Sequence, residues 1–145
     1  MDNRNQTRNS ELTRFTIPAD RKRIQEGIDP ISSLLNEKGA DKKNIFKIAV
    51  AIEEILTNVS SYAYAPKTGN IDIEYGVDEN RTLTVKIIDE GKEFDPLKNE
   101  DPDITLSAED RQIGGLGIFI VKQTMDETTY ERKENKNILT LKKVV

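Results

Sequence analysis

The sequence predicts an α+β fold: a two-layer sandwich in which helices cover one face of a mixed, mostly antiparallel sheet of about five strands. Three observations carry this reading. Ile71, Ile73, Tyr75 and Val77 alternate with polar residues, and Leu83, Val85 and Ile87 do so again after Asp78-Glu79-Asn80, the pattern of a half-buried hairpin. Ile45, Ile48, Ala49, Ile52, Ile55, Leu56 and Val59 recur at helical spacing. The order of segments is strand, helices, hairpin, a long polar stretch, helix and hairpin, which is an α+β layer design.

Taken in order, residues 1–10 are polar and read as a mobile tail ahead of a single domain at 11–145. Leu12, Phe15 and Ile17 form a strand closed by Pro18. Asp20 caps a helix from about Arg21 to Lys38, stopped by Gly39, with Pro30 expected to kink or split it. Asp41 caps the next and longest helix, which is expected to end near Tyr64-Ala65-Pro66. After the central hairpin, residues 90–112 turn polar and are punctuated by Pro96 and Pro102. A loop of that length in a compact domain is read as a functional lid. A short helix from Gly115 to about Asp126 follows. Closing strands near Glu127–Lys133 and Ile138–Val144 flank an expected turn at Asn135-Lys136-Asn137.

Composition narrows the chemistry. The 145 residues include no Cys and no His, which excludes disulfides, thiolate or imidazole metal sites and a Ser-His-Asp arrangement. A formal net charge of −4 gives no basic footprint for direct nucleic-acid binding. No apolar run approaches the roughly 18 residues of a membrane span, and the polar start lacks a signal-peptide core, so a cytoplasmic protein with no membrane partner is expected.

Three short motifs carry the remaining signal. Glu54 and Asn58 stand at i and i+4, so a carboxylate and an amide share one helical face. An amide oxygen suits Mg²⁺, and a carboxylate one turn away can deprotonate a hydroxyl; the plainer reading is a solvent-facing surface pair. Asp89 shares parity with Leu83, Val85 and Ile87, so it points to the apolar face, where it needs a hydrogen-bond donor. An exocyclic amine of adenine would serve, while the plainer reading is a strand-end turn starter before Gly91. Gly114-Gly115-Leu116-Gly117-Ile118 opens a helix whose free N–H groups can cradle phosphate, or else forms a simple hinge. It is neither a P-loop nor a dinucleotide fingerprint.

In this order the three motifs resemble the N, G1 and G2 boxes of the GHKL ATPase superfamily. The chain most resembles its small serine kinases that act as anti-sigma factors. The resemblance rests on residues 51–58 with Tyr62-Ala63-Tyr64, on Asp89-Glu90-Gly91-Lys92-Glu93-Phe94-Asp95-Pro96, and on 114–121 with Met125-Asp126-Glu127. It implies a Bergerat-type ATP-binding fold, with ATP and Mg²⁺ as cofactors and Asn58 as the Mg²⁺ ligand. Glu54 would be the catalytic base, Asp89 would hold the adenine amine with Gly91 giving the ring room, and Gly114, Gly115, Leu116, Gly117 and Ile118 would face the phosphates. Arg111 stands at a position of the lid's end where the family often has a basic residue near the γ-phosphate or the partner, and the resemblance implies that role for it. The implied activity is protein serine/threonine phosphorylation of a STAS-type antagonist, with a sigma factor as second partner and a homodimer as the assembly. An ATP-responsive module that sequesters a partner without transfer is the alternative. The chain departs from the family at Tyr62, where His is common, and at Asn137, which stands in for a last-strand Thr.

Overall fold

The computed structural model describes residues 11–63, 69–98 and 115–145. Strand β1 (Thr13–Pro18) leads into a single 3-10 turn at Arg21–Arg23, capped by Asp20, whose carboxylate accepts from Lys22 N at 2.9 Å. Helix α1 (Gln25–Glu37) follows and runs unbroken through Pro30, so the expected split lies earlier, at Ile24. Pro30 leaves the Glu26 carbonyl without an intrahelical donor. Glu26 lies on the exposed side of the helix, where the carbonyl is accessible to solvent, while Ile28 and Ile31 on the buried side stay packed. Gly39, at φ 75°, ends the segment.

Helix α2 (Lys42–Asn58) starts at its Asp41 cap and passes into a π turn at Val59–Ala63. Strands β2 (Asn70–Val77) and β3 (Thr82–Asp89) pair through a turn in which the Asp78 carboxylate accepts from Asn80 N and Thr82 N. Helix α3 (Gly115–Thr124) and strands β4 (Glu127–Lys133) and β5 (Lys136–Val144) complete the order. The last hairpin turns at Glu134-Asn135, with φ of 53° and 65°, the conformation that matches the twist of the flanking strands. The expected turn at 135–137 therefore shifts by one residue, and Asn137 becomes a strand residue.

The sheet order is β1-β2-β3-β5-β4 and every pairing is antiparallel. Connectivity explains why the antiparallel majority is complete. A single helix between strands brings the chain back parallel, but β1 and β2 are separated by two helices, which adds a reversal. β3 and β4 do run the same way across α3, yet β5 inserts between them.

One face of the sheet carries Ile17, Ile71, Ile73, Leu83, Val85, Ile87, Leu139 and Leu141, all buried against Ile31, Leu35, Ile48, Ile52, Ile55, Leu56, Ile118 and Val121 of the three helices. The other face is polar, and Arg14 bridges Asp72 and Glu74 there at 2.8 and 2.6 Å. Among the described residues no helix is long and apolar enough to cross a membrane.

Candidate functional site

The helical period that buries Ile55 and Leu56 places Glu54 and Asn58 at the edge of the core, on the side of α2 that meets α3. Glu54 is half-buried. Burial, and secondarily repulsion from Glu53, holds its carboxyl above the usual range. Asn58 is 7% exposed, and its Nδ2 is buried with no acceptor among the described residues. Such a group is expensive unless a ligand completes it.

The helical pattern takes in Val59 and is expected to end near Tyr64, which lies outside the described residues; past Asn58 the helix widens into a π turn that the pattern does not distinguish from α-helix. Val59, Ser60 and Ser61 are poor helix formers, and the wider turn carries the Ala63 carbonyl out to the loop after β3. There Ala63 O accepts from Lys92 N at 2.9 Å, and a Cβ on Gly91 would overlap that same oxygen. Gly91 is thus required by the close approach of two backbones. Tyr62 is half exposed and lies against Phe94, with ring centroids 5.6 Å apart.

Asp89 ends β3 at 3% exposure, on the apolar face as its parity predicts. Its Oδ1 accepts from Gly91 N at 2.9 Å and from Asn137 Nδ2 at 2.8 Å; Oδ2 has no protein donor among the described residues. Burial raises the Asp89 carboxyl, while the bonds from Asn137 and Gly91 and the charge of Arg132 pull the other way. The Asp-x-Gly segment is therefore both a turn starter and an acceptor at the end of a buried strand.

Helix α3 closes the arrangement. A Cβ on Gly117 would overlap the Glu54 carboxylate, so the first turn of α3 rests on α2 beside the acid. Gly115, Leu116, Gly117 and Ile118 are the first residues of this helix, where backbone N–H groups lack intrahelical partners. Ile118, 1% exposed, pins that turn to the core. Arg111, Gly114 and most of the expected lid lie outside the described residues.

Sequence reasoning missed Tyr130 and Arg132. Both bond to Asn137 Oδ1, Arg132 Nη1 at 3.2 Å, and Arg132 Nη1 also donates to Gly91 O at 2.8 Å. Their shared parity with Thr128 on β4 was visible, but the register against β5 was not. A surface cavity of about 490 Å³ also touches Asp89. Its walls are the outward side chains Thr16, Asp72 and Ile88, on the polar face away from the helices.

Fold and site together define the class, an ATPase-type α/β sandwich with three segments gathered at one end of a helix. Residues 17–143 match the histidine kinase-like ATPase domain family, and the chain belongs to it. Among curated relatives it is similar to the serine-protein kinase RsbW of Listeria monocytogenes, 27% identical over 131 residues, covering 87% of this chain and 83% of that one. It is also similar to the serine-protein kinase RsbW of Bacillus thuringiensis, 30% identical over 116 residues, covering 77% and 72%. In structure it resembles the RsbU and RsbW domains of Rv1364c from Mycobacterium tuberculosis, with a TM-score of 0.65 at 18% identity over 92% of this chain and 32% of that one. It also resembles a chain of the SiaB-SiaC complex from Pseudomonas aeruginosa, with a TM-score of 0.61 at 16% identity over 98% and 95%. At these identities the structural likeness is one of fold.

Proposed function

We propose that this protein is a Mg·ATP-dependent protein serine/threonine kinase that acts as an anti-sigma regulatory factor. Its acceptor is a serine or threonine on a STAS-type antagonist, with a sigma factor as second partner, and it works as a cytoplasmic homodimer. The kinase names of the curated relatives support the activity. The observation that carries it is Glu54, a partly desolvated carboxylate with raised proton affinity, pressed against the start of α3.

The residues present fit Mg·ATP. Asn58 would hold the Mg²⁺ through its amide oxygen, while its buried Nδ2, a donor without an acceptor among the described residues, would be left to meet a ligand oxygen; the ion would supply charge neutralisation at the phosphates when bound. Asp89 would offer Oδ2 to the adenine amine, and Gly91, whose missing side chain is accounted for by the Ala63 carbonyl, keeps the backbone N–H that orients the Asp89 carboxylate. The N–H groups opening α3 face the phosphate oxygens. Glu54 would take the proton of the attacking hydroxyl as the hydroxyl oxygen bonds to the γ-phosphorus and the bond from that phosphorus to the bridging oxygen breaks, releasing ADP, and raised basicity is what that role needs.

The alternative is an ATP-responsive module that holds its partner without transfer. Tyr62 favours it, since it places an exposed aromatic ring beside Phe94, near the site, in place of the family's usual His.

Phosphate transfer to a serine or threonine of a STAS-domain protein, followed by mass spectrometry, separates the two. Glu54→Gln should fold and bind ATP as the wild type does, yet transfer about 10²–10⁴-fold more slowly. Equal rates would remove Glu54 as the base. Nucleotide-dependent binding without transfer by the wild type would establish the alternative.

A further inference from the structure

Asn137 is 4% exposed, and its hydrogen-bonding capacity is used within the protein. Its Nδ2 donates to Asp89 Oδ1 and to Lys92 O, both at 2.8 Å. Its Oδ1 accepts from Phe94 N at 3.2 Å, from Arg132 Nη1 at 3.2 Å and from the Tyr130 hydroxyl. The amide orientation follows from these partners. Lys92 O can only accept, while the Phe94 N–H and the Arg132 guanidinium can only donate, so a flipped Asn137 would face like against like at three contacts.

This saturation has a chemical consequence. An amide with both hydrogens and its oxygen engaged has nothing left for a nucleotide, whereas Asp89 is left with a single oxygen available. Oδ1 holds two N–H donors and cannot also carry a proton, so Oδ2 is the acceptor.

We infer that Asn137 is a positioning residue for base selection. It locks the Asp89 carboxylate so that only Oδ2 is presented, and the site takes a purine that offers one exocyclic N–H donor at that point. Tyr130 and Arg132, both on β4, hold Asn137 in turn, and Arg132 ties Gly91 O to the same cluster. Selection for the amine therefore depends on a strand hairpin that need not touch the ligand. This inference rests on the nucleotide-site reading above.

The test is calorimetry with Mg·ATP and with the Mg complex of purine riboside triphosphate, the analogue that lacks the 6-amino group. Wild type should prefer ATP by roughly tenfold or more, the scale of a hydrogen bond to a charged group. Asn137→Ala and Asn137→Asp should lower ATP affinity but hardly change analogue affinity, so that the preference falls to about two- to threefold. Tyr130→Phe, which preserves packing, should shift the ratio in the same direction by less. Asn137→Thr, whose hydroxyl can still donate to Oδ1, should restore most of it. A purely structural Asn137 would lose both ligands equally and leave the ratio unchanged in every variant, and that result overturns the inference. Should Asn137→Ala not fold, the ratios in Tyr130→Phe and Asn137→Thr decide the matter. Wild type that binds neither triphosphate removes the nucleotide site itself, and the inference with it.

Discussion

Asp89 is held where it is costly. Burial disfavours its charged form, and the two donors on Oδ1 together with the charge of Arg132 only partly offset this. The sign for stability follows directly. The folded-state pKa lies above the unfolded value, so the native protein binds the proton more tightly than the unfolded chain. The ionised group then lowers stability as pH rises from the ordinary aspartate value through the raised one, and the full cost is present at neutral pH. Asp89→Asn keeps the acceptor for Gly91 and Asn137 and removes the charge. Thermal unfolding without ligand should show the variant at least as stable as wild type at neutral pH, with its advantage vanishing near pH 4. Its ATP affinity should fall by about 1–3 kcal/mol, because an N–H then opposes the adenine amine. A variant less stable than wild type at neutral pH, or with unchanged affinity, would show that Asp89 serves the fold and not a ligand.

At the scale of elements, two glycines mark where segments touch, and what they touch differs. At Gly91 an added Cβ meets the Ala63 carbonyl carbon at 2.7 Å, and that backbone is tied down by the Lys92 N–H. At Gly117 it meets the Glu54 side chain, with Cδ at 2.6 Å and Cγ at 3.1 Å, and that side chain can rotate away. Gly91→Ala should therefore destabilise the protein by roughly 1–3 kcal/mol. Gly117→Ala should cost less than about 1 kcal/mol, yet slow phosphate transfer tenfold or more by displacing the base. Denaturant titration paired with the transfer assay checks both, and Gly117→Ala with normal turnover would detach Glu54 from the chemistry. The same contrast shows what the sequence made legible. Asp20 and Asp41 as caps, the alternation of β2 and β3, and the shared face of Glu54 and Asn58 are local patterns with a fixed period, and they were readable. The π turn at Val59–Ala63 is not distinguished from α-helix by such a period. The bond from Asn137 to Asp89 spans 48 residues and depends on the β3–β5 register. That register is set by a turn one residue earlier than the Asn-rich stretch implied.

For the whole molecule, the arrangement joins ligand to stability. The three segments of the site meet through contacts of α2 and its π turn, with Gly117 on Glu54 and Gly91 on Ala63, so a ligand that spans them favours only the folded chain. At a hundredfold excess over Kd, Mg·ATP should add about 2.7 kcal/mol to the unfolding free energy. For a chain of this size that is roughly a 5–10 °C rise in Tm. The chain is acidic, with a formal charge of −4, and a triphosphate adds more negative charge, so the shift should depend on Mg²⁺ in the wild type. The variants should divide by role. Glu54→Gln should retain the full shift, since a base for the acceptor hydroxyl is not needed for binding. Asp89→Asn should lose most of it at equal ATP concentration. Asn58→Ala should respond to ATP almost equally with and without Mg²⁺, because the amide that would hold the metal is gone. Differential scanning calorimetry of the four proteins, with and without EDTA, reads all of this at once. If Asn58→Ala keeps the Mg²⁺ dependence of wild type, the buried amide has another purpose; if wild type shows no shift at saturating Mg·ATP, the site does not bind nucleotide.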